Sequence, residues 1–180
     1  MIIRHIKESD AAAVAEIYSY YVENTAYSFE YDAPGECEIA NRIRDTVKFH
    51  PYLVCEENGE ILGYAYAHRF RERRAYQWIC ELSVYVKNSA VRRGVAAMLY
   101  AKIIPILKKQ GFLRAIAVVS TPNDASEAFH RAMGFTLTAV MPRMGYKFGG
   151  WHDLKYYEIE LNRTPEGTPD EPTPHSTSEN

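Results

Sequence analysis

Hydrophobic and polar positions change their spacing several times along the chain, which predicts alternating helices and strands. Apolar residues that recur every three or four positions indicate helices, whereas short apolar or alternating runs indicate strands. Val95, Leu99 and Ile103 have helical spacing, and residues 84–86 (Val-Tyr-Val) are typical of a strand. The predicted strands are 2–6, 52–56, 61–70, 78–86, 113–120, 135–140 and 154–161, and the predicted helices are 10–24, 36–50, 95–110 and 125–133.

The order of these elements predicts an α+β fold. The succession β-α-α-β-β-β-α-β-α-β-β, with helices spread among the strands, favours a three-layer α/β/α domain with a mixed, mostly antiparallel central sheet. Asn58-Gly59 joins the second and third strands and is a strong hairpin signal. Ser9 is the predicted N-cap of the first helix.

The periodic pattern ends near residue 162. Residues 163–180 contain four prolines and a glycine among Ser, Thr and acidic residues. Such a segment buries too little apolar surface to offset the entropy lost on ordering. We therefore expect one domain over 1–162 and a disordered tail over 163–180.

Composition excludes several classes of function. The net charge of −2 gives no electrostatic reason to expect a nucleic-acid partner, and no apolar run approaches the roughly 20 residues that span a bilayer. The N-terminus lacks the apolar core of a signal peptide. Cys37, Cys55 and Cys80 are scattered without metal-ligand spacing, which favours a reducing cytoplasm and no metal site. The 14 tyrosines indicate either an aromatic-lined pocket or interface, or an aromatic core.

Two features around the fourth strand point to chemistry. Glu81 stands alone in an apolar strand, where a carboxylate is costly unless it is used or paired. The alternative to a catalytic role is a structural ion pair with an arginine of residues 69–74. The strand is followed by the start of a helix, whose free N–H groups can hold a phosphate.

The helix start carries a recognisable motif. Residues 91–96 (Val-Arg-Arg-Gly-Val-Ala) follow the pattern Q/R-x-x-G-x-G/A except at Val91. With the order of elements, this motif resembles the acetyl-CoA motif of the GCN5-related N-acetyltransferase (GNAT) superfamily. The resemblance covers residues 1 to about 161. Residues 81–86, 122–124, 129–135 and 145–153 resemble segments of its phosphinothricin and methionine sulfone/sulfoximine N-acetyltransferase branch.

The resemblance implies roles for individual residues. Glu81 is expected to be the general base, acting directly or through a water. His130 falls where many GNAT proteins have a tyrosine that protonates the leaving thiolate, so a proton-transfer or pocket role and a packed helix histidine both remain open. Backbone groups of residues 84–86 are expected to hold the pantetheine arm and polarise the thioester carbonyl. The expected acetyl-CoA residues are Val84, Tyr85, Val86, Arg92, Arg93, Gly94, Val95, Ala96, Ala97, Asn123 and Ser126.

The substrate residues are expected in loops outside the motif. The aromatic-rich loop 25–34 either covers a pocket or packs on the core. A guanidinium in the loop before the fourth strand would suit the carboxylate of an amino acid, although any one arginine there is as consistent with a solvated loop. The expected substrate residues are Phe29, Glu30, Arg74, Tyr76 and Tyr146.

Together these features predict an acetyl-CoA-dependent N-acetyltransferase of small amino-acid analogues, with methionine sulfone, methionine sulfoximine and phosphinothricin as leading candidates. The amine would attack the thioester directly, with Glu81 as base and without a metal. The resemblance also implies a homodimer. The alternatives are a protein N-terminal or other amine acetyltransferase and a catalytically degenerate ligand-binding module, for which Val91 is the only support.

Overall fold

The computed structural model describes residues 1–175, which form a seven-stranded mixed sheet with four α-helices. This confirms the predicted α+β layered fold and the predicted order of the elements. The strands are β1 (Ile2–His5), β2 (Tyr52–Glu57), β3 (Glu60–Arg69), β4 (Ile79–Val86), β5 (Arg114–Thr121), β6 (Thr136–Lys147) and β7 (Gly150–Glu160). The helices are α1 (Ala11–Asn24), α2 (Glu36–Thr46), α3 (Val95–Gln110) and α4 (Asp124–Ala132).

The strand order in the sheet is β1-β2-β3-β4-β5-β7-β6, and β4 and β5 form its parallel pair. That pair is short, because only Ile79–Glu81 of β4 align with Arg114–Ile116 of β5. Beyond Glu81 the two strands have no aligned residues within the described chain. The edge of β4 that faces β5 is therefore open from Leu82 to Val86.

The helices cover the two faces of the sheet. Side chains alternate between faces along a strand, and Cys80 and Leu82 of β4 belong to a buried cluster with Leu99 and Ile103 of α3. The opposite face packs against α1 and α2 through a second cluster that includes Val14, Ile17, Ile39, Ile43, Tyr64 and, partly buried, Tyr85. Since Glu81 lies between Cys80 and Leu82, its side chain belongs to the α1/α2 face.

Two tight turns define the hairpins of the sheet. Asn58 (φ 53°) and Gly59 (φ 82°) form the predicted β2–β3 turn. The β6–β7 hairpin is longer than expected, because both strands continue to a second turn at Phe148 (φ 51°) and Gly149 (φ 76°). The predicted end of the sixth strand at residue 140 and the predicted start of the seventh at residue 154 are therefore wrong, because residues 143–153 belong to the hairpin itself. Their side chains do not alternate regularly between apolar and polar types, so the sequence carried no strand signal there.

The predicted N-cap of the first helix is also wrong. A short 3-10 helix (Glu8–Asp10) precedes α1, and Asp10 occupies the cap position. The Asp10 carboxylate accepts a hydrogen bond from the Lys7 backbone N–H at 2.8 Å and pairs with Arg4 at 2.7 Å. These two partners fix Asp10 where sequence preference alone favoured Ser9.

Part of the C-terminal tail contacts the domain. Residues 163–175 contain no helix or strand. The backbone N–H groups of Thr173 and His175 donate to the carbonyls of Gln110 and Phe49 at 2.8 and 2.9 Å, and Pro172 is buried. These contacts argue against complete disorder of the tail. The disorder predicted for 163–180 stays a prediction, and its last five residues lie outside the described chain.

Candidate active site

A cleft of about 650 Å³ lies beside the open edge of β4. Its walls are the ends of α1, β4 and β5, the starts of α3 and α4, and the first residues of the loop after α1. It therefore brings together residues that are far apart in the sequence. Of the expected acetyl-CoA and catalytic residues, Val84, Tyr85, Val86, Arg92, Gly94, Val95, Ala96, Ala97, Asn123, Ser126 and His130 line this cleft.

The start of α3 has the geometry of an anion site. Arg92 (φ 65°) and Gly94 (φ 82°) both adopt left-handed backbone conformations just before the helix begins at Val95. This turn brings the first N–H groups of α3 to the cleft wall, where a phosphate can accept hydrogen bonds from them. No atom lies within 4 Å of the position of a Cβ on Gly94, so backbone conformation is what makes glycine suitable there.

Arg93 does not line the cleft. Its guanidinium lies 2.5 Å from the carboxylate of Glu57 at the end of β2. Val91, at the irregular position of the motif, is 47% exposed. Of the two arginines in the motif, Arg92 is thus the one that the structure brings to the cleft.

The far end of the cleft is formed by the first turns of α4. Asn123 caps this helix, because its Oδ1 accepts the backbone N–H of Ser126 at 3.2 Å. His130 is 4% exposed, and its Nδ1 lies 2.8 Å from the Ser126 carbonyl oxygen, so Nδ1 carries a hydrogen. Its Nε2 then accepts the hydroxyl of Tyr100 at 3.1 Å. Burial lowers the pKa of His130, although the bond to Ser126 offsets part of the effect.

Glu81 lies at the point where β4 and β5 separate, with its side chain on the α1/α2 face. Its Oε1 is 3.7 Å from Nε2 of His68. Burial raises the pKa of Glu81, and electrostatic interactions with His68 and Arg71 offset part of that rise. Within residues 1–175 no arginine lies within 4 Å of this carboxylate, so the predicted alternative of an arginine ion pair has no contact to support it.

The loop 25–34 packs against the β6–β7 hairpin. The Phe29 ring lies over Gly145 and 6.3 Å from the ring of His152. The Tyr31 hydroxyl donates to the carbonyl of Tyr146. The structure thus places Phe29 and Tyr146, two of the expected substrate residues, in neighbouring segments.

Glu30, the third expected substrate residue in this region, faces α1 and α2. Its carboxylate accepts hydrogen bonds from Tyr18 at 2.9 Å and from Arg42 at 2.8 Å. Burial alone would raise the pKa of Glu30, but the bonds from Arg42 and Tyr18 outweigh it and hold the pKa below its usual value. Glu30 is therefore a carboxylate that already has two partners.

Arg74 and Tyr76 do not join the other expected substrate residues. The Arg74 side chain is 83% exposed and pairs with Glu171 of the tail at 2.5 Å, while the Tyr76 ring packs on Phe70. No sequence pattern indicated this pairing, because the tail was expected to be disordered.

Three residues near the site were not singled out from the sequence. His68 is brought opposite Glu81 by the β3–β4 register, and Tyr100 contacts His130 from α3. Lys147 is 3% exposed at the end of β6. For Lys147 the sequence offered one signal, which is the presence of a lysine in a hairpin that carries many aromatic side chains.

Residues 1–175 contain neither a helix with the length and apolar character of a membrane span nor a group of three or more His, Cys, Asp or Glu side chains placed to hold a metal ion.

Comparison with known proteins adds independent findings. Residues 3–155 match the family model described as "Acetyltransferase (GNAT) domain". The chain is 33% identical over 159 residues to a phosphinothricin N-acetyltransferase of Streptomyces viridochromogenes, covering 88% of this chain and 87% of the relative. It is 32% identical over 163 residues to an L-methionine sulfoximine/L-methionine sulfone acetyltransferase of Salmonella typhimurium, covering 90% and 95%. A phosphinothricin acetyltransferase of Sinorhizobium meliloti, crystallised with acetyl-CoA, has a TM-score of 0.90 and 32% identity, covering 96% and 94%.

Proposed function

Since this chain belongs to the GNAT acetyltransferase family, we propose that it acetylates the amino group of small amino-acid analogues with Glu81 as the general base. It is an N-acetyltransferase of the phosphinothricin/methionine sulfoximine branch, and acetyl-CoA is its acetyl donor. The analogues named by its relatives, phosphinothricin, methionine sulfoximine and methionine sulfone, are the proposed substrates.

One observation carries the proposal: β4 and β5 separate at the residue proposed as the base. The cleft with the anion-binding helix start opens along β4 beyond Glu81. Acetyl-CoA supplies a thioester whose acetyl group is transferred. The open β4 edge over residues 82–86 fits its pantetheine arm, because backbone groups that no strand pairs are available for hydrogen bonds. The start of α3 fits its pyrophosphate.

Glu81 is suited to remove a proton from an ammonium group. An α-amino group has a pKa of about 8, so most of it is protonated at neutral pH and must lose a proton before attack. Burial raises the pKa of Glu81, which makes its carboxylate a stronger base. Backbone N–H groups of residues 84–86 are proposed to donate to the carbonyl oxygen of the acetyl group.

For His130 the contacts favour the pocket role over proton transfer. Both ring nitrogens are engaged, Nδ1 with Ser126 and Nε2 with Tyr100, and burial keeps the ring neutral. A neutral imidazole in two hydrogen bonds is a poor acid. We assign His130 the role of holding Tyr100 and Ser126 at the cleft wall. The proton that the leaving CoA thiolate takes up is then assigned to solvent.

Recognition of the amine is assigned to the α1/α2 face. Arg71 is close enough to lower the pKa of Glu81, so its guanidinium is the proposed partner of a substrate carboxylate. Phe29 is proposed to form the apolar wall that meets the side chain of the analogue. The Tyr146 side chain lies on the other face of β6, where its ring contacts Trp151, so Tyr146 is no longer favoured for this wall. Arg74, paired with Glu171, is no longer favoured for the carboxylate.

We also propose that the protein is a cytoplasmic homodimer. Strand β6 is the edge of the sheet, and the β6–β7 hairpin exposes several large apolar side chains. Such a surface favours association with a second copy. Light scattering on the purified protein tests this, and the three free cysteines are consistent with a reducing compartment. The apolar side chains are Leu137, Val140, Met141, Met144, Phe148 and Trp151.

The decisive experiment measures release of CoA thiol with acetyl-CoA and a panel of amines. We expect turnover with methionine sulfone, methionine sulfoximine or phosphinothricin and little with polyamines or peptide N-termini. Turnover confined to polyamines or peptides would overturn the substrate class. Binding of acetyl-CoA without turnover on any amine would favour a ligand-binding module over an enzyme.

A further inference from the structure

Lys147 has an unusual environment for a lysine. It is 3% exposed, although it lies at the end of a strand beside a surface turn. Its Nζ donates hydrogen bonds to the carbonyl oxygens of Val22 at 2.6 Å and Ser28 at 2.8 Å. Lysine is rarely fully buried unless it is paired, so these two contacts must offset much of the cost of burying the charge.

The first contact caps α1. Val22 lies in the last turn of this helix, where carbonyl groups have no partner within the helix. A positive charge is also favoured there by the helix dipole. Lys147 therefore satisfies a carbonyl that would otherwise be orphaned and places its charge at the favourable end of α1.

The second contact reaches the loop that follows α1. Ser28 immediately precedes Phe29 and Glu30, and its hydroxyl is within 2.8 Å of the Tyr18 hydroxyl. The Lys147 ammonium thus joins the end of α1 and the middle of the loop to the same point of β6. The carbonyl of Ser28 cannot move away from β6 without leaving a buried ammonium short of a partner.

Gly145, two residues earlier in β6, is a second point at which loop 25–34 is attached to this strand. A Cβ at this position would lie only 2.2 Å from Cε2 of Phe29, which is closer than atoms can approach. The Phe29 ring therefore occupies the space that a side chain at residue 145 would fill. Gly145 and Lys147 have side-chain positions on the same face of β6, because residues two apart in a strand point the same way.

We propose that Lys147 is a positioning residue for the amine substrate: with Gly145 it fixes loop 25–34 on the β6–β7 hairpin and so places the Phe29 wall of the substrate site. This inference rests on the proposed function for the identity of the site. It gives Lys147 no contact with the reacting atoms. Its effect on the reaction passes through the loop.

The test replaces Lys147 by Met, which keeps the length of the side chain and removes the donors. We expect the KM of the amine to rise about tenfold, with the KM of acetyl-CoA changed less than twofold. Lys147→Arg keeps donors and charge and should recover part of the loss. Lys155→Met is the matched control, since Lys155 belongs to the same hairpin but pairs with Glu127 of α4; it should leave the KM of the amine unchanged.

Hydrogen exchange separates this inference from the proposed function. In Lys147→Met the amides of loop 25–34 should exchange at least tenfold faster, while those of α3 should not change. Unchanged exchange in the loop, or an unchanged KM in an active variant, would overturn the role of Lys147. A wild-type protein without turnover would overturn the proposed function alone, because the exchange measurement does not depend on catalysis.

A double-mutant cycle gives a second test that leaves Lys147 in place. Gly145→Ala should raise the KM of the amine about tenfold, because the new methyl group displaces Phe29. In a Phe29→Ala background the same substitution should have less than a twofold effect, because the clash is absent. Equal effects in both backgrounds would show that Gly145 and Phe29 are not coupled and would overturn the proposed attachment.

Discussion

His68 of β3 lies directly opposite Glu81 of β4, with its Nε2 atom 3.7 Å from Oε1 of the carboxylate. Burial and the histidine act on the pKa of Glu81 in opposite directions, burial raising it and His68 lowering it. The basicity of Glu81 thus depends on a residue of the neighbouring strand.

Glu81→Gln should remove the proposed base without changing the size of the side chain. We expect kcat at neutral pH to fall by about 10² to 10⁴, the usual contribution of general acid–base catalysis. Acetyl-CoA binding measured by calorimetry should stay within twofold of wild type, because Glu81 does not line the cleft. A variant that turns over at the wild-type rate would exclude Glu81 as the base.

His68→Gln should move the acidic limb of the pH–rate profile to higher pH. His68 lowers the pKa of Glu81, so without it the pKa of the carboxyl rises further above its usual value and a higher pH is needed to ionise the base. The profile of kcat/KM between pH 5 and 8 measures this shift. A limb that moves to lower pH, or does not move, contradicts the proposed pairing.

Gly94→Ala should weaken acetyl-CoA binding. Alanine in the left-handed conformation costs about 1–2 kcal/mol. If the turn relaxes to relieve this strain, the N–H groups at the start of α3 move, and we expect the Kd of acetyl-CoA to rise about tenfold. Gly59→Ala is the matched control, because Gly59 also has φ +82° and no atom near its Cβ position but lies in the β2–β3 turn. Both variants should lose similar stability, and only Gly94→Ala should lose affinity.

Arg71→Ala and Arg74→Ala should separate the two arginines of the loop before β4. If a substrate carboxylate pairs with Arg71, its loss should raise the KM of the amine about tenfold. Arg74 pairs with Glu171 instead, so Arg74→Ala should change this KM less than twofold. Steady-state kinetics with one amino-acid analogue distinguish the outcomes, and the reverse order of effects would restore Arg74 as the carboxylate partner.

His50 should make folding stability fall in mild acid. Burial lowers its pKa from 6.5 to about 4, so between these values the unfolded chain binds a proton that the folded chain does not. The contribution of His50 is complete above pH 6.5 and is lost as the pH falls to 4, amounting to up to about 3 kcal/mol. Urea unfolding of His50→Phe, whose ring can stack on Phe112 as His50 does, should show a weaker pH dependence over this range.

The sequence was sufficient for the order of the elements because each depends on local periodicity. Residues that are close together in the sequence predict both the helical face of Val95, Leu99 and Ile103 and the turn at Asn58-Gly59. The family resemblance, and not local periodicity, predicted that the acetyl-CoA residues lie around one cleft. The same resemblance indicated Glu81 as the base.

Contacts between distant segments could not be predicted in the same way. The sequence between β3 and β4 carries no hairpin-turn signal, so no local pattern predicts that His68 lies opposite Glu81. The pairing of Arg74 with Glu171 joins residues 97 positions apart, and the composition of the tail indicated no order at all. The burial of Lys147 depends on where loop 25–34 packs, which no periodicity encodes.

The early divergence of β4 and β5 has a consequence for where the reactants meet. The walls of the cleft include Tyr20 and Tyr21 at the end of α1 and Thr25 and Tyr27 in the loop after it, as well as the starts of α3 and α4. On the proposed function the acetyl donor therefore lies between α3 and the loop that carries Phe29, and the amine meets its thioester at the gap where the two strands part, beside Glu81.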